Sequence, residues 1–177
     1  MRLPGSFPRK QPVPLAVASA IDPARKEKLL AWAVESASGT TVVAGRHRLY
    51  AVGPGPEGPV VALSRPWHLV DAGSWSGEDA LLSVSWVDGE PPVRFALTQP
   101  GLLPETLRER VQASVVIAET LDLGGRRTAR VVVRRVLETD ALVSQAVLGK
   151  GVRSSDPGVD EQVSAGLARV REQVGLD

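Results

Sequence analysis

Arginine is the residue type in this sequence with the most scope for ligand chemistry. Five arginines crowd one segment that has the pattern of a β-hairpin: Arg126, Arg127, Arg130, Arg134 and Arg135. Guanidinium groups bind phosphate and carboxylate oxygens through paired hydrogen bonds, so this cluster could hold an anionic surface or a phosphorylated partner. Two further arginines flank His47. The candidate anion or partner contacts are therefore Arg46, Arg48, Arg126, Arg127, Arg130 and Arg134.

The hairpin arginines also have a purely structural interpretation. If Gly124-Gly125 forms a two-residue turn, Asp122 faces Arg127 and Glu119 faces Arg130 on the opposite strand. The charges would then pair within the sheet, and exposed pairs of this kind add little stability. Both interpretations stay open on the sequence alone.

Residues that support catalysis or cofactor binding are scarce. Only His47 and His68 could act as histidine acid–base groups, and we expect the first to be a solvated turn residue and the second a surface residue. The string Gly73–Gly77 has Trp75 where a nucleophile elbow requires serine. We therefore predict no catalytic residues, cofactor or metal. An alternative is a small-ligand protein or enzyme that uses acidic and arginine side chains, with these candidate carboxylates: Asp71, Glu78 and Asp79.

Composition favours a cytoplasmic protein. The chain has no cysteine, which excludes disulfides and thiolate chemistry. Met1 to Lys10 lacks the apolar centre of a secretory signal, and no apolar run approaches the roughly 18 residues of a membrane span. With 21 basic and 20 acidic residues, the chain has no strong field to attract a polyanion. Nucleic acid and membrane surfaces are thus disfavoured, although weak binding of either through Arg126–Arg135 remains an alternative.

The spacing of apolar and turn residues predicts an α+β fold rich in antiparallel strands. Residues 1–22, with four prolines, are expected to form an arm whose apolar part, Val13 to Ile21, could pack on the domain, and a helical turn could begin at Asp22-Pro23. Leu29–Val34 favours a strand. Six more strands follow: Thr40–Ala44, Arg48–Val52, Pro59–Ser64, Trp67–Trp75, Ala80–Val87 and Val93–Leu97.

Beyond these strands the pattern becomes helical and then returns to β. Leu103 to Ala113 has helical spacing, and Asp156-Pro157 is expected to cap a final helix with an apolar stripe. Between these helices we predict three strands: Val115–Leu123, Thr128–Val136 and Leu142–Leu148. The last could be an open edge at which copies of the chain associate. The predicted organisation is an arm at 1–22, a β domain at 23–113, and an extension at 114–177 packed on that domain.

Thr41–Val52, followed by Pro66–Ala72, resembles a pattern in bacterial pleckstrin-homology-like domains, in which a basic residue precedes a Leu-Tyr pair and an aromatic residue opens the next strand. The resemblance covers residues 28–113 and implies a seven-stranded barrel capped by the helix at Leu103–Ala113. Arg46 and Arg48 would then lie near the open end of the barrel. The chain also looks like a family of proteins from GC-rich actinobacteria, on its Leu-Ala-Trp-Ala run and on residues 108–116.

This fold implies no activity, because pleckstrin-homology-like domains bind lipids or peptides or act as structural parts. The leading hypothesis is a non-enzymatic cytoplasmic interaction or adaptor module with a protein partner. Copies of the chain could also associate with one another as a homo-oligomer.

Overall fold

The fold was described from a computed structural model of the chain, covering residues 11–22, 24 and 26–176. It is α+β, with three antiparallel sheets and three α-helices in the described part. The strands are β1 (Leu29–Val34), β2 (Thr41–Gly45), β3 (Arg48–Gly53), β4 (Val60–Pro66), β5 (Val70–Ser76), β6 (Leu81–Trp86), β7 (Val93–Ala96), β8 (Val115–Asp122), β9 (Thr128–Arg135) and β10 (Leu142–Leu148). The helices are α1 (Leu15–Ile21), α2 (Leu103–Ser114) and α3 (Val159–Gln173).

Two sheets enclose the first core. One has the order β1-β2-β3-β4 and the other β5-β6-β7. In β6, Leu82, Val84 and Trp86 are buried while the serines between them are half-buried, so the predicted alternation is confirmed. Apolar side chains from both sheets and from α2 form this core.

The expected closed barrel is not present, because the described strands form separate sheets. The expectation of one strand from Trp67 to Trp75 is wrong in its first part: Trp67–Leu69 forms a 3₁₀ turn between β4 and β5. Pro66 lacks a backbone donor, and the fully buried Trp67 donates from Nε1 to the Gly45 carbonyl at 3.0 Å. This anchored turn ends β4 and starts the second sheet.

Helix α2 packs closely on β5 because Gly73 has no side chain. A Cβ atom at Gly73 would lie 2.1 Å from Leu107 Cδ2. Leu103 and Leu107 are buried, as their predicted helical spacing requires. The close contact fixes the position of α2 against the ends of β1 and β2.

The arm contains a helix that the sequence pattern did not predict. Helix α1 buries Val17 against the outer face of the first sheet, where Val43, Tyr50 and Val52 are also buried. Strand β2 is therefore buried on both faces. Residues 1–10 of the arm, and Pro23 of the predicted Asp22-Pro23 turn, lie outside the described residues.

The β8–α3 unit, residues 115–176, forms a second layer with its own core. Its sheet has the order β10-β9-β8, and α3 packs its predicted apolar stripe on one face. The expected helix cap at Asp156-Pro157 is wrong. Gly158, with a positive φ of 73°, precedes α3, and the Asp156 carboxylate instead accepts from the Arg153 backbone.

The expected charge pairing in the β8–β9 hairpin is also wrong. The turn spans Gly124 to Arg126, and the Leu123 N–H donates to the Arg127 carbonyl at 2.9 Å. This three-residue turn shifts the register by one, so Arg130 faces Thr120 and Asp122 faces Thr128. A one-residue shift in a hairpin changes every cross-strand pair.

Candidate functional site

Arg130 and Arg134 contact another part of the molecule, at the point where β9 meets the start of β5. Both approach Asp71: Arg130 Nη2 donates directly to its carboxylate, and Arg134 Nη2 lies 4.0 Å from the same oxygen. Arg134 is 1% exposed and also donates to Ser114 Oγ at 3.1 Å. We call this contact, formed by Asp71, Arg130, Arg134 and Ser114, the seam. It joins the β8–α3 unit to the part of the fold from β1 to α2, residues 29–114, which we call the β1–α2 unit.

Burial makes the seam electrostatically demanding. Desolvation lowers the pKa of Arg134, and the Asp71 carboxylate opposes that shift. Nearby, desolvation, with a smaller contribution from repulsion by Arg134 and Arg48, lowers the pKa of His68 and so favours its neutral form. Gln145 Nε2 donates a hydrogen bond to the His68 carbonyl at 3.0 Å, which adds an uncharged contact between the two units. The seam stabilises the packing of the two units.

The other predicted arginines differ in their availability. Arg48 donates to the Ser64 side chain at 3.0 Å and to its carbonyl at 3.2 Å. Arg127 donates to the Leu123 carbonyl at 3.1 Å, and Arg135 lies 3.3 Å from Asp140. Arg126 is exposed on its turn, with a φ of 69°. The hairpin therefore presents little convergent charge to a ligand.

A basic groove of about 360 Å³ lies between the strands of the first sheet and α2. Lys28 precedes β1, Arg46 follows β2, and Arg110 projects from α2. No ion-pair partner for any of these three is found within the described part of the chain. The remaining lining residues of this basic groove are Leu30, Leu102, Thr106 and Glu109.

The basic groove has the chemistry of an anion site. Three cations and one carboxylate leave it with an excess of positive charge. Arg110 Nε is buried without a hydrogen-bond partner among the described residues, and Thr106 supplies a hydroxyl to the lining. An unsatisfied buried donor is costly, so an acceptor that binds there relieves the cost.

Sequence analysis identified only Arg46 of the three cations in this groove. Arg46 was expected near the open end of a barrel, but it lies beside α2, the helix that packs over the core. Arg110 is separated from Arg46 by 64 positions along the chain, so no local pattern joins them. Thr106 and Arg110 are four residues apart, so they lie on one face of the helix. This spacing is the one feature of the sequence that could have indicated the groove.

A second groove, of about 800 Å³, lies between the arm and the start of β1. We call it the arm groove. Its described lining is mainly apolar, and Asp22 and Glu27 are the charged residues within that described lining. Glu27 also holds His47: its carboxylate accepts from the His47 backbone at 2.8 Å and lies 3.1 Å from Nδ1. His47 lies in the turn between β2 and β3, as expected, but the expectation that it is solvated is wrong, because its side chain is largely covered and contacts Glu27.

The predicted carboxylate set does not assemble into a site. Asp71 begins β5 and belongs to the seam, whereas Glu78 and Asp79 lie in the turn beyond the other end of that strand. Asp79 accepts from Ser76 Oγ at 2.7 Å within that turn. In the described ranges, no group of three or more His, Asp or Glu residues could hold a metal ion. None of the described helices is long and apolar enough to cross a membrane.

Comparison of the chain with protein-family models, curated proteins and solved structures found no match in any of the three. The geometry of the two grooves is therefore the main guide to function.

Proposed function

We propose that the protein is a non-catalytic cytoplasmic interaction module that binds an acidic segment of a protein partner in the basic groove. The observation that supports this most directly is the convergence of Lys28, Arg46 and Arg110, none of which forms an ion pair with another described residue. Most of the described arginines have a side-chain partner within the molecule. Lys28, Arg46 and Arg110 instead line one groove together, where all three can meet the same external carboxylate. Guanidinium groups bind carboxylates with two parallel hydrogen bonds.

The proposal includes a pleckstrin-homology-like arrangement of the β1–α2 unit. Four strands, then three strands, then a helix follow one another along the chain, in support of this relationship. Members of that fold class serve as binding modules, but the fold alone does not determine what a member binds; the residues of its site do. The basic groove lies beside the helix in this arrangement.

A protein partner fits the charge distribution better than a membrane or a nucleic acid. The net charge is +1, and the groove gathers only three cations. Each basic residue near an anionic membrane contributes only about 1 kcal/mol, so stable attachment needs more of them. A short acidic segment, by contrast, requires only local charge.

The test is affinity capture from the native cytoplasm with three forms of the full chain. They are the wild type, a Lys28→Gln/Arg46→Gln/Arg110→Gln variant, and a matched Arg126→Gln/Arg127→Gln control that removes cations from the hairpin. We expect a partner with an acidic segment to bind the wild type and the control but not the groove variant. Direct titration of that segment should reproduce the order.

Two results would refute the proposal. One is a partner that binds the groove variant as tightly as the wild type. The other is capture that, after crosslinking, yields no partner specific to the wild type. Circular dichroism of the groove variant must match the wild type, since Lys28 and Arg46 are exposed and Arg110 is half-buried with no ion-pair partner among the described residues.

A further inference from the structure

The start of β1 separates the two grooves. Glu27 and Leu29 line the arm groove, Lys28 lines the basic groove, and Leu30 lines both. Alternation along the extended chain separates Leu29 from Lys28. Leu30 has no Cα partner in the β1–β2 register, which shifts between Leu29 and Ala31, and it lies at both grooves. A bound segment that crosses Leu30 would therefore contact a basic surface on one side and an apolar surface on the other.

The arm groove has the character of a binding surface. Pro12, Val13, Pro14 and Leu15 contribute to its apolar lining, and Leu15 is 66% exposed. Trp32 donates from Nε1 to the Gln11 carbonyl at 3.2 Å and so ties this stretch of the arm to β1. The groove is thus held open between two attached elements, with a large apolar side chain on its wall.

The charges of the two grooves are opposite in sign. Asp22 and Glu27 line the arm groove, and Lys28, Arg46 and Arg110 line the basic groove. An acidic segment is attracted to one side of Leu30 and repelled from the other. This asymmetry would orient a bound chain, because charge complementarity fixes register more than affinity.

We propose that the partner segment is bipartite, with an acidic side chain in the basic groove and a large apolar side chain, close to it along the chain, in the arm groove. This inference rests on the proposed function and specifies the partner's chemistry. Leu30 lines both grooves, so the grooves adjoin at this residue. The acidic and apolar residues of the partner should therefore be separated by only a few positions.

The two contacts act as one site. Once the acidic residue is bound, the apolar residue reaches its groove without a second loss of translational freedom. Binding should therefore exceed what either contact achieves alone.

The test uses four synthetic peptides measured by fluorescence anisotropy against the full chain. The first has two glutamates followed closely by two leucines. The second replaces the leucines with serine, the third replaces the glutamates with glutamine, and the fourth separates the pairs with a long Gly/Ser spacer. We expect the first to bind about tenfold more tightly than the second, since apolar burial adds to the ionic contact.

Two variants assign the contacts. Leu15→Ser, at an exposed position, should remove most of the advantage of the first peptide while leaving the second unchanged. Arg46→Gln should weaken the binding of the first and second peptides, which both carry the glutamates. Equal binding of the first and second peptides, or of the first and fourth, would overturn the bipartite site while leaving the proposed function intact. Glutamate peptides that fail to bind, or that are insensitive to Arg46→Gln, would overturn both.

Discussion

The seam and the basic groove contain the same chemical groups in opposite situations. At the seam, Arg130 and Arg134 share the Asp71 carboxylate, and Arg134 is almost fully buried. At the groove, Arg46 and Arg110 lie together with no described ion-pair partner. Two arginines that are close in the sequence, Arg130 and Arg134, thus join two parts of the fold, whereas two that are distant in the sequence, Arg46 and Arg110, converge on a surface.

This difference has an energetic basis. A buried charge must be paired and hydrogen-bonded, so the seam arginines are committed to their internal partners. A groove cation keeps part of its hydration and exchanges water for an external acceptor at little cost. The seam should therefore control stability, and the groove should control binding.

The largest expected effect tests the seam. Asp71→Ala removes the carboxylate that faces the buried Arg134 and should lower the free energy of unfolding by about 3 kcal/mol. Chemical denaturation measures the change. Glu78→Ala, an exposed carboxylate in the following turn, is the control and should shift stability by less than about 0.5 kcal/mol. Equal effects of the two substitutions would show that the seam contributes no specific stability.

A smaller effect is expected from a change in the packing of α2, the helix that carries Arg110 of the basic groove. Gly73→Ala would place a Cβ 2.1 Å from Leu107 and push α2 away from β5. Overpacking of this kind costs about 1–3 kcal/mol, and the displaced helix should also weaken binding by moving Arg110. Gly77→Ala is the matched control, because its nearest contact is 3.7 Å away. If Gly73→Ala binds the partner segment as tightly as the wild type does, binding in the basic groove does not depend on the packing of α2 against β5.

The smallest expected effect concerns acid sensitivity at the seam. The pKa of His68 is lowered in the folded state, so the unfolded chain binds a proton there at higher pH than the folded chain does. The contribution of His68 to stability is complete above its ordinary pKa and is lost as the pH falls through that value toward the lowered one. His68→Gln should flatten the stability profile in this window. An unchanged slope between wild type and variant would contradict a desolvated, neutral imidazole.

Local periodicity predicted much of the secondary structure. Strand β10 was predicted with its observed limits, and the buried face of β6 followed from alternating apolar residues. These features depend on neighbours two to four positions apart, so they are readable in one sequence. Self-association at the edge strand β10 stays a prediction.

The rest depended on tertiary contacts. Helix α1 is short and lies within a proline-rich arm, and packing against Val43 and Tyr50 stabilises it more than its own sequence does. The turn at Gly124 to Arg126, in which all three residues have a positive φ, shifted the hairpin register by one. The basic groove could not be predicted because Lys28, Arg46 and Arg110 come from three separate elements.

The most direct test of the central claim is NMR of the arginine side-chain Nε–Hε groups during titration with the acidic–apolar peptide. The resonances of Arg46 and Arg110 should shift in proportion to the bound fraction, while those of Arg130 and Arg134 stay in place. Shifts confined to Arg126, Arg127 and Arg130 would locate binding on the hairpin and contradict the division between a structural seam and a binding groove.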